Sequence, residues 1–541
     1  MKVLIVGGVA AGTKTAAKLK REMPDAEVTI LTKDRDISYA GCGLPYYLGE
    51  VIREKEALIV NTPQKFSTLT GVEVVTETEA TKVNPSDKTV DVVNVVTGEK
   101  AVYSYDKLVI ATGASPIKPP IDGIDLPGVF CMRTPQDAFG AKDYIKDNGA
   151  ERAVVVGGGF IGLEVAENLR KMDLRVTVID MADQVMPGFS KDFATYIEDH
   201  LATQGIKVQT GRKMEAILGT DKVEKVQTDK RALKADLVVL SIGIRANTAF
   251  LEGSGIALCE NKTVKVNEHM QTNVEDIYAV GDCVTVWNRY TNQPQWSPMG
   301  STANMVGRVC AKNLAGKPVT YPGVLGTAVC HLPELNAGKT GFTEESAKAA
   351  GFDPISVTIV ADDKAHYYPG AGNFIIKVVA DKNTRKFLGV EALGSGAVDK
   401  IVDIGVTALT LHGDLDALDN MDMAYAPPFS TAIHPFVLAI QVLENKLDGT
   451  LDSVTPEEFV SGEYGEYKVI DASMSPAILG APFVNPADVK GVLPEFGTED
   501  KLMLVCTKGK RAYLLQNKLR YYGYKNTKVL ESGTTFNGTD L

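Results

Sequence analysis

Short apolar runs that end in glycine turns set the pattern of the first part of this chain, and they predict β-α-β units. Lys2–Val6 reads as a strand, the six residues from Gly7 to Gly12 as a turn, and the stretch through Arg21 as a helix leading to the strand Glu27–Leu31. The segments 108–113 (LVIATG) and 277–282 (IYAVGD) read as strands that end in small-residue turns. A second unit follows the same plan: strand 153–156, a glycine turn, a helix to Lys171, and the strand Arg175–Ile179 ending at Asp180. Residues 237–243 (LVVLSIG) read as its last strand. From 321 to 445 the pattern changes to alternating strands (373–379, 387–392) and then helices, as in an interface domain. Residues 446–455 read as a polar linker, and 456–541 as a small separate domain with strands 467–471, 502–505 and 527–530 and a helix through Arg520. The expected domains are 1–115 with 250–320, then 116–249, 321–445 and 456–541.

The glycine turns carry candidate chemistry. Gly7, Gly8, Ala10, Ala11 and Gly12 open a helix whose backbone N–H groups can hold a pyrophosphate, although Val9 replaces the middle glycine. Thr32 and Lys33 stand where an acid would bind ribose. Thr112-Gly113 and Gly281-Asp282 complete a triple of motifs, in an order that points to FAD. Asp282 can accept from a ribityl hydroxyl while the N–H groups after it face phosphate. The second turn matches G-x-G-x-x-G in full, with Gly157, Gly159, Ile161 and Gly162, and Gly243 closes the unit. Asp180 lies about 20 residues on, where an acid binds the adenosine ribose diol. Met181, Ala182 and Asp183 follow it, with no arginine for a 2′-phosphate, so NADH is favoured over NADPH. The fold class expected is α/β: two Rossmann-like dinucleotide-binding domains, an α+β domain and a small C-terminal α/β domain.

Cys42 lies in SYAGCGLPYY between Gly41 and Gly43, which let other groups approach its sulfur. Dithiol flavoprotein reductases carry C-x4-C, and the position five residues on is Tyr47, so a disulfide at Cys42 requires an outside thiol. A turn entering a helix here is expected to lower the thiol pKa. Lys14, Lys18 and Arg21 share one face of the first helix, either as a solvated basic face or as a seat for a phosphate-rich ligand. Cys506 leads the loop Thr507-Lys508-Gly509 into a helix bearing Arg511, where N–H groups and positive charge suit a thiolate or persulfide. Tyr367 and Tyr425 lie beside proline turns and read as packing residues on that ground alone. Trp287 and Trp296 bracket a polar stretch that reads as a surface loop.

Bulk properties narrow the classes. A net charge of −11 with no basic run excludes nucleic acid as a main partner. No apolar run approaches the ~18 residues of a membrane span, and the opening MKVLIVGG reads as a strand rather than a signal peptide. The seven cysteines are scattered without a C-x-x-C pair, which suits a reducing cytoplasm. The six histidines lack ligand spacing, so no metal site is expected.

With these motifs assembled, residues 1–445 resemble the coenzyme A-disulfide reductase family of pyridine nucleotide-disulfide oxidoreductases. The likeness rests on SYAGCGLPYY, both nucleotide motifs, HYYPG at 366–370 and YAPPFS at 425–430. It implies that Cys42 is the lone redox cysteine, forming a mixed disulfide with coenzyme A. It implies that Tyr367 and Tyr425 reach the site from the other subunit of a homodimer. Lys14, Lys18, Arg21, Ser38 and Gly41 fall near the family's coenzyme A contacts. The C-terminal region resembles a rhodanese domain, in which C-x-x-G-x-R makes Cys506 the persulfide carrier beside Arg511. The usual Asp-x-Arg is Asp471-Ala472-Ser473 here, which counts against ordinary thiosulfate transfer. The fusion resembles NADH-dependent persulfide and polysulfide reductases. On this reading NADH reduces FAD, Cys42 handles coenzyme A persulfide or polysulfide, and Cys506 relays sulfane sulfur. The alternatives are a plain coenzyme A-disulfide reductase, an NADH oxidase or peroxidase, and a non-catalytic sulfur carrier or redox sensor. Oxidases of this kind carry a histidine at the position of Ala10, which weighs against them.

Overall fold

The computed structural model describes residues 1–541 and divides the chain into two compact units. The first is Met1–Val185 with Gly205–Val324, and the second is Met186–Gln204 with Leu325–Leu541.

The first unit holds two parallel five-stranded sheets. One runs Ile277–Ala279, Lys107–Ile110, Lys2–Val6, Glu27–Leu31, Glu73–Val75. The other runs Lys207–Gln209, Arg175–Ile179, Arg152–Val156, Leu237–Leu240, Val129–Cys131. Their central strands are continuous apolar runs because both faces are covered, and Val3, Leu4, Ile5, Val154 and Val155 are buried. Two antiparallel three-stranded sheets, at Thr78–Ser104 by position and at Met214–Lys234, have no counterpart in the sequence reading. The tryptophan stretch is not a free loop. Val284–Trp287 and Pro294–Gln295 pair as a hairpin, and the Trp296 indole N–H donates to the Asp282 carbonyl at 2.9 Å.

The second unit contains an antiparallel sheet in the order Ala328–Leu332, Leu335–Gly341, Phe387–Gly394, Asn373–Asp381, Pro354–Asp362. The helices Val398–Thr410 and Pro435–Leu447 pack on it. A parallel four-stranded sheet follows, ordered Ser453–Val454, Asn526–Leu530, Lys501–Val505, Lys468–Asp471. The expected linker 446–455 is therefore structured: the helix Pro435–Leu447 enters it, and Ser453–Val454 is a strand of the C-terminal sheet. Glu531, which is buried, accepts from the Thr358 N–H (2.7 Å), the Lys446 ammonium (2.7 Å) and the Ser453 hydroxyl (2.6 Å). Thr358 lies on the edge strand Pro354–Asp362, so the C-terminal domain satisfies an edge that would otherwise be open.

The helix Lys191–Thr203, which the sequence places in the middle nucleotide domain, belongs to the second unit. Asp192 pairs with buried Lys377 at 2.7 Å, the Ser190 N–H donates to buried Glu391 at 2.7 Å, and Tyr196 stacks on Phe536. Glu391 is held above the usual carboxylate range by burial, against the pull of Lys377 and Lys339.

Candidate active site

Each five-stranded parallel sheet of the first unit ends in a glycine turn that no other residue could occupy. Gly7 has φ +116°, and a Cβ there would lie 2.0 Å from the Ala111 carbonyl oxygen; at Gly12 it would lie 1.9 Å from that of Gly7. The second turn repeats this at Gly157, 2.3 Å from the Ser241 oxygen, and Gly162, 2.0 Å from that of Gly157. A Cβ on Gly159 would meet nothing within 4 Å, so the middle glycine of this turn faces open space at the start of the helix Phe160–Lys171. These turns fit a pyrophosphate: tight glycines close the strand-to-helix corner, and N–H groups face the opening.

Around the first turn, Ala10 begins the helix Ala10–Glu22, and Ala11 packs so closely on Gly281 that a Cβ there would lie 2.8 Å away. The Thr112 hydroxyl donates to the Asn247 carbonyl at 2.7 Å, and the Asn247 amide returns a bond to the Thr112 carbonyl at 2.9 Å, fixing the turn at Gly113. Asp282 pairs with Arg133 at 3.1 Å, a partner the sequence reading missed. Lys33 is exposed. At the second turn, Asp180 accepts the Gly158 N–H at 2.6 Å and the Ala182 N–H at 2.8 Å, which aims its carboxylate at the mouth of the turn. Gly243 has φ +110°, and Ile161 is exposed on the first turn of the helix.

Cys42 is the only exposed cysteine of the seven. It sits in the single helical turn Gly41–Gly43, ahead of the five-residue helix Leu44–Leu48. Ser38 is pinned in a left-handed conformation (φ +48°), with its N–H on the Gly8 carbonyl at 2.9 Å, so the cysteine segment lies over the first glycine turn. Gly41 faces open space, whereas Gly43 packs near Leu58 and Ile52. Tyr47 is buried, edge-on to Phe139 at 5.2 Å with the Lys142 ammonium 4.4 Å from its ring centre. The neighbouring Tyr46 donates to Glu164 at 3.0 Å, tying the cysteine helix to the helix after the second glycine turn. The expected low thiol pKa is not found. Burial of the sulfur within the surrounding protein, and then the Glu164 and Asp282 carboxylates, push Cys42 up, with only Arg133 opposing them. A five-residue helix offers too little dipole to offset burial and two carboxylates.

The shared basic face is likewise altered. Lys18 is taken by Glu22, which also pairs with Lys317 at 2.5 Å and is held down to about 2 by these two lysines. Lys14 is half-buried, and Arg21 is exposed.

The remaining candidates lie in the second unit. Tyr367 and Tyr425, far apart in sequence, share a hydrogen bond that raises the Tyr425 pKa, and both are exposed. Cys506 is 2% exposed, and its sulfur receives one N–H, from Ala512 at 3.4 Å. Two of the cations expected around it, Arg511 and Lys508, are committed elsewhere. Arg511 donates to the Ala472 carbonyl (2.8 Å) and to Asn485 (2.9 Å), and Lys508 donates to Asp362 (2.6 Å) and Asn373 (2.7 Å). Asp471, at the position of the missing Asp-x-Arg, instead accepts N–H groups from Ser473, Ala477 and Ile478, and backbone and Ser473 bonds keep its pKa low despite burial.

Two dinucleotide turns beside one exposed cysteine define a class of redox enzyme that passes electrons between a nucleotide and sulfur. Pyridine nucleotide-disulphide oxidoreductase matches residues 1–300, and the dimerisation domain of the same enzymes matches residues 327–436. The chain belongs to that family. It is 36% identical over 444 residues to the NAD(P)H sulfur oxidoreductase (CoA-dependent) of Pyrococcus furiosus, which covers 82% of this chain and is itself covered to 99%. It is 35% identical over 448 residues to an NADH oxidase of Methanocaldococcus jannaschii, covering 83% and 99% of the two chains. The structure of a NAD-dependent persulfide reductase from A. fulgidus superposes with a TM-score of 0.94 at 34% identity, covering 99% of this chain and 100% of that one. The C-terminal domain, beyond the reach of both family matches, is thus within the span of that likeness.

Proposed function

We propose that this chain is an FAD-dependent enzyme that uses NADH to reduce coenzyme A persulfide or polysulfide at Cys42. The observation that carries the reading is that Cys42 alone among seven cysteines is open to solvent, beside two dinucleotide turns and with no second thiol at Tyr47. The relatives' names, which include a CoA-dependent sulfur oxidoreductase and a persulfide reductase, support the substrate class. Gly7, Gly8, Gly12, Gly113, Gly281 and Asp282 would hold FAD, which when bound supplies the path for electrons from NADH to sulfur. Gly157, Gly159, Gly162 and Asp180 would hold NADH, the Asp180 carboxylate binding the ribose diol and repelling a 2′-phosphate. The Cys42 thiolate attacks the coenzyme A sulfur of a persulfide; a Cys42–coenzyme A disulfide forms, the sulfur–sulfur bond breaks, and hydrosulfide leaves. Two electrons then return both sulfurs to thiolates. Tyr367 and Tyr425, from the second subunit of a homodimer, would protonate or stabilise the departing thiolate. Lys14, Arg21, Ser38 and Gly41 would lie along the coenzyme A, with Lys18 available only by giving up Glu22. The C-terminal domain acts as a rhodanese-type carrier through Cys506.

Coenzyme A disulfide remains a second substrate, since the same attack cleaves it. Oxygen reduction is disfavoured by Ala10, although a relative bears the name NADH oxidase. The test is NADH consumption by wild type and Cys42→Ser with coenzyme A persulfide, polysulfide, coenzyme A disulfide and oxygen. Cys42→Ser is expected to abolish turnover with every sulfur acceptor while flavin binding and its reduction by NADH persist. Full persulfide reduction by this variant, or faster turnover of oxygen than of any sulfur acceptor in wild type, would overturn the reading.

A further inference from the structure

Lys508 stands two residues beyond Cys506, yet its ammonium points away from that sulfur's loop. It donates to Asp362 Oδ1 at 2.6 Å and to Asn373 Oδ1 at 2.7 Å. These two acceptors face each other as the last register pair of the antiparallel strands Pro354–Asp362 and Asn373–Asp381. The chain between them, residues 363–372, carries Tyr367. One side chain therefore ties together both feet of the tyrosine loop.

Asp363 and Ala365 are buried at its start, and the Tyr368 N–H donates to the Ala365 carbonyl at 2.8 Å. At its base the Asp363 N–H donates to the Gly372 carbonyl at 3.0 Å and the Gly372 N–H to Asp363 Oδ1 at 2.8 Å. Near its top, the Ala365 N–H donates to the Pro427 carbonyl at 3.3 Å, joining it to the segment that carries Tyr425. Tyr367 itself is 66% exposed, so packing contributes little to its position. Without the ammonium, the Asp362 carboxylate loses its counter-charge, and the two side chains at the hairpin mouth are no longer held by one group.

We propose that Lys508 is a positioning residue that fixes the Tyr367–Tyr425 pair, so that the Cys506 loop and the tyrosine pair move as one element. A displacement of the Cys506 loop reaches the feet of the tyrosine loop through Lys508. The C-terminal domain thereby acts on the acceptor step even with acceptors that need no sulfur from Cys506. The inference rests on the reading of the tyrosines as acceptor-site groups.

The test uses the flavin-loaded protein and the variants Lys508→Met, Lys508→Arg and Tyr367→Phe. Hydrogen exchange of residues 363–372 is expected to quicken in Lys508→Met and to return to the wild-type rate in Lys508→Arg. In stopped flow, reoxidation of the reduced enzyme by coenzyme A disulfide is expected to slow about ten- to a hundred-fold in Lys508→Met, the scale of a misplaced catalytic group. Flavin reduction by NADH stays unchanged. Combining Lys508→Met with Tyr367→Phe is expected to add little to the loss from Tyr367→Phe alone, because both act on one group. Unchanged exchange, or fully additive losses, would overturn the inference. A slow Tyr367→Phe beside a silent Lys508→Met sinks this inference alone, whereas a silent Tyr367→Phe sinks the reading of the tyrosines and the inference with it. Should Lys508→Met not fold, Asn373→Leu removes one of the two acceptors and carries the same expectations.

Discussion

Cys42 and Cys506 both stand at the mouth of a helix, and they are given opposite surroundings. Cys42 is exposed, flanked by glycines, and followed by a helix of only five residues. Burial of its sulfur, and then carboxylates from two remote segments, raise its pKa. Cys506 is buried at the end of the strand Lys501–Val505, ahead of the twelve-residue helix Lys510–Tyr521, with an N–H aimed at its sulfur. Lys508 and Arg511 brace the domain instead of the sulfur. The difference separates access from anion binding. Cys42 is open to solvent, while Cys506 has a donor for an anionic sulfur but stays closed until its loop opens.

The largest expected effect is on access itself. In the reduced, flavin-loaded protein, iodoacetamide should label Cys42 about a hundred-fold faster than Cys506, because the buried thiol waits on a local opening that costs about 3 kcal/mol. Peptide mapping of the labelled sites over time reads this directly. Equal rates would erase the contrast and show that the Cys506 loop opens freely.

Next in size is the division of substrates. Cys506→Ser is expected to reduce turnover with polysulfide and other large sulfane donors about ten-fold or more, the scale of one lost catalytic contribution. Coenzyme A persulfide and coenzyme A disulfide, which reach Cys42 directly, should be spared. If all donors fell together, or none did, Cys506 would have no relay role distinct from Cys42.

Much of this contrast could be read from the sequence, and the rest could not, for identifiable reasons. The two glycine turns were legible because a strand-to-helix corner with backbone oxygens 2 Å from a would-be Cβ admits only glycine, and their strands because a doubly covered sheet needs unbroken apolar runs. The place of Asp180 at the strand end, beside the second turn, was legible from spacing alone. The Lys18–Glu22 pair was also within reach, as a simple i,i+4 contact, and was passed over in favour of a basic face. The direction of the Cys42 pKa was not legible, because Glu164 and Asp282 arrive from far along the chain. Lys508 and Asp362 are 146 residues apart, and Thr358 and Glu531 are 173 apart. No periodicity marks such partners. The helix Lys191–Thr203 shows the same limit: its amphipathic pattern predicts burial but does not say against which unit.

The smallest expected effect probes what sets Cys42 apart electrostatically. Glu164 accepts the Tyr46 hydroxyl at 3.0 Å, and a glutamine there keeps an acceptor for that bond while removing the charge. The sign follows from the causes: the Glu164 carboxylate disfavours the thiolate, so Glu164→Gln moves the Cys42 pKa down toward its ordinary value. Burial and Asp282 remain, so the return is partial. In the reduced, flavin-loaded protein, alkylation of Cys42 at neutral pH is expected to speed about two- to five-fold, the reach of a partly solvated charge, and the alkylation–pH profile should move to lower pH. High salt offers an independent check. At 1 M the screening length falls to about 3 Å, so the wild-type profile should shift toward that of the variant, while the variant's own changes less. A profile that Glu164→Gln leaves in place, or moves to higher pH, would mean that burial alone holds the Cys42 proton.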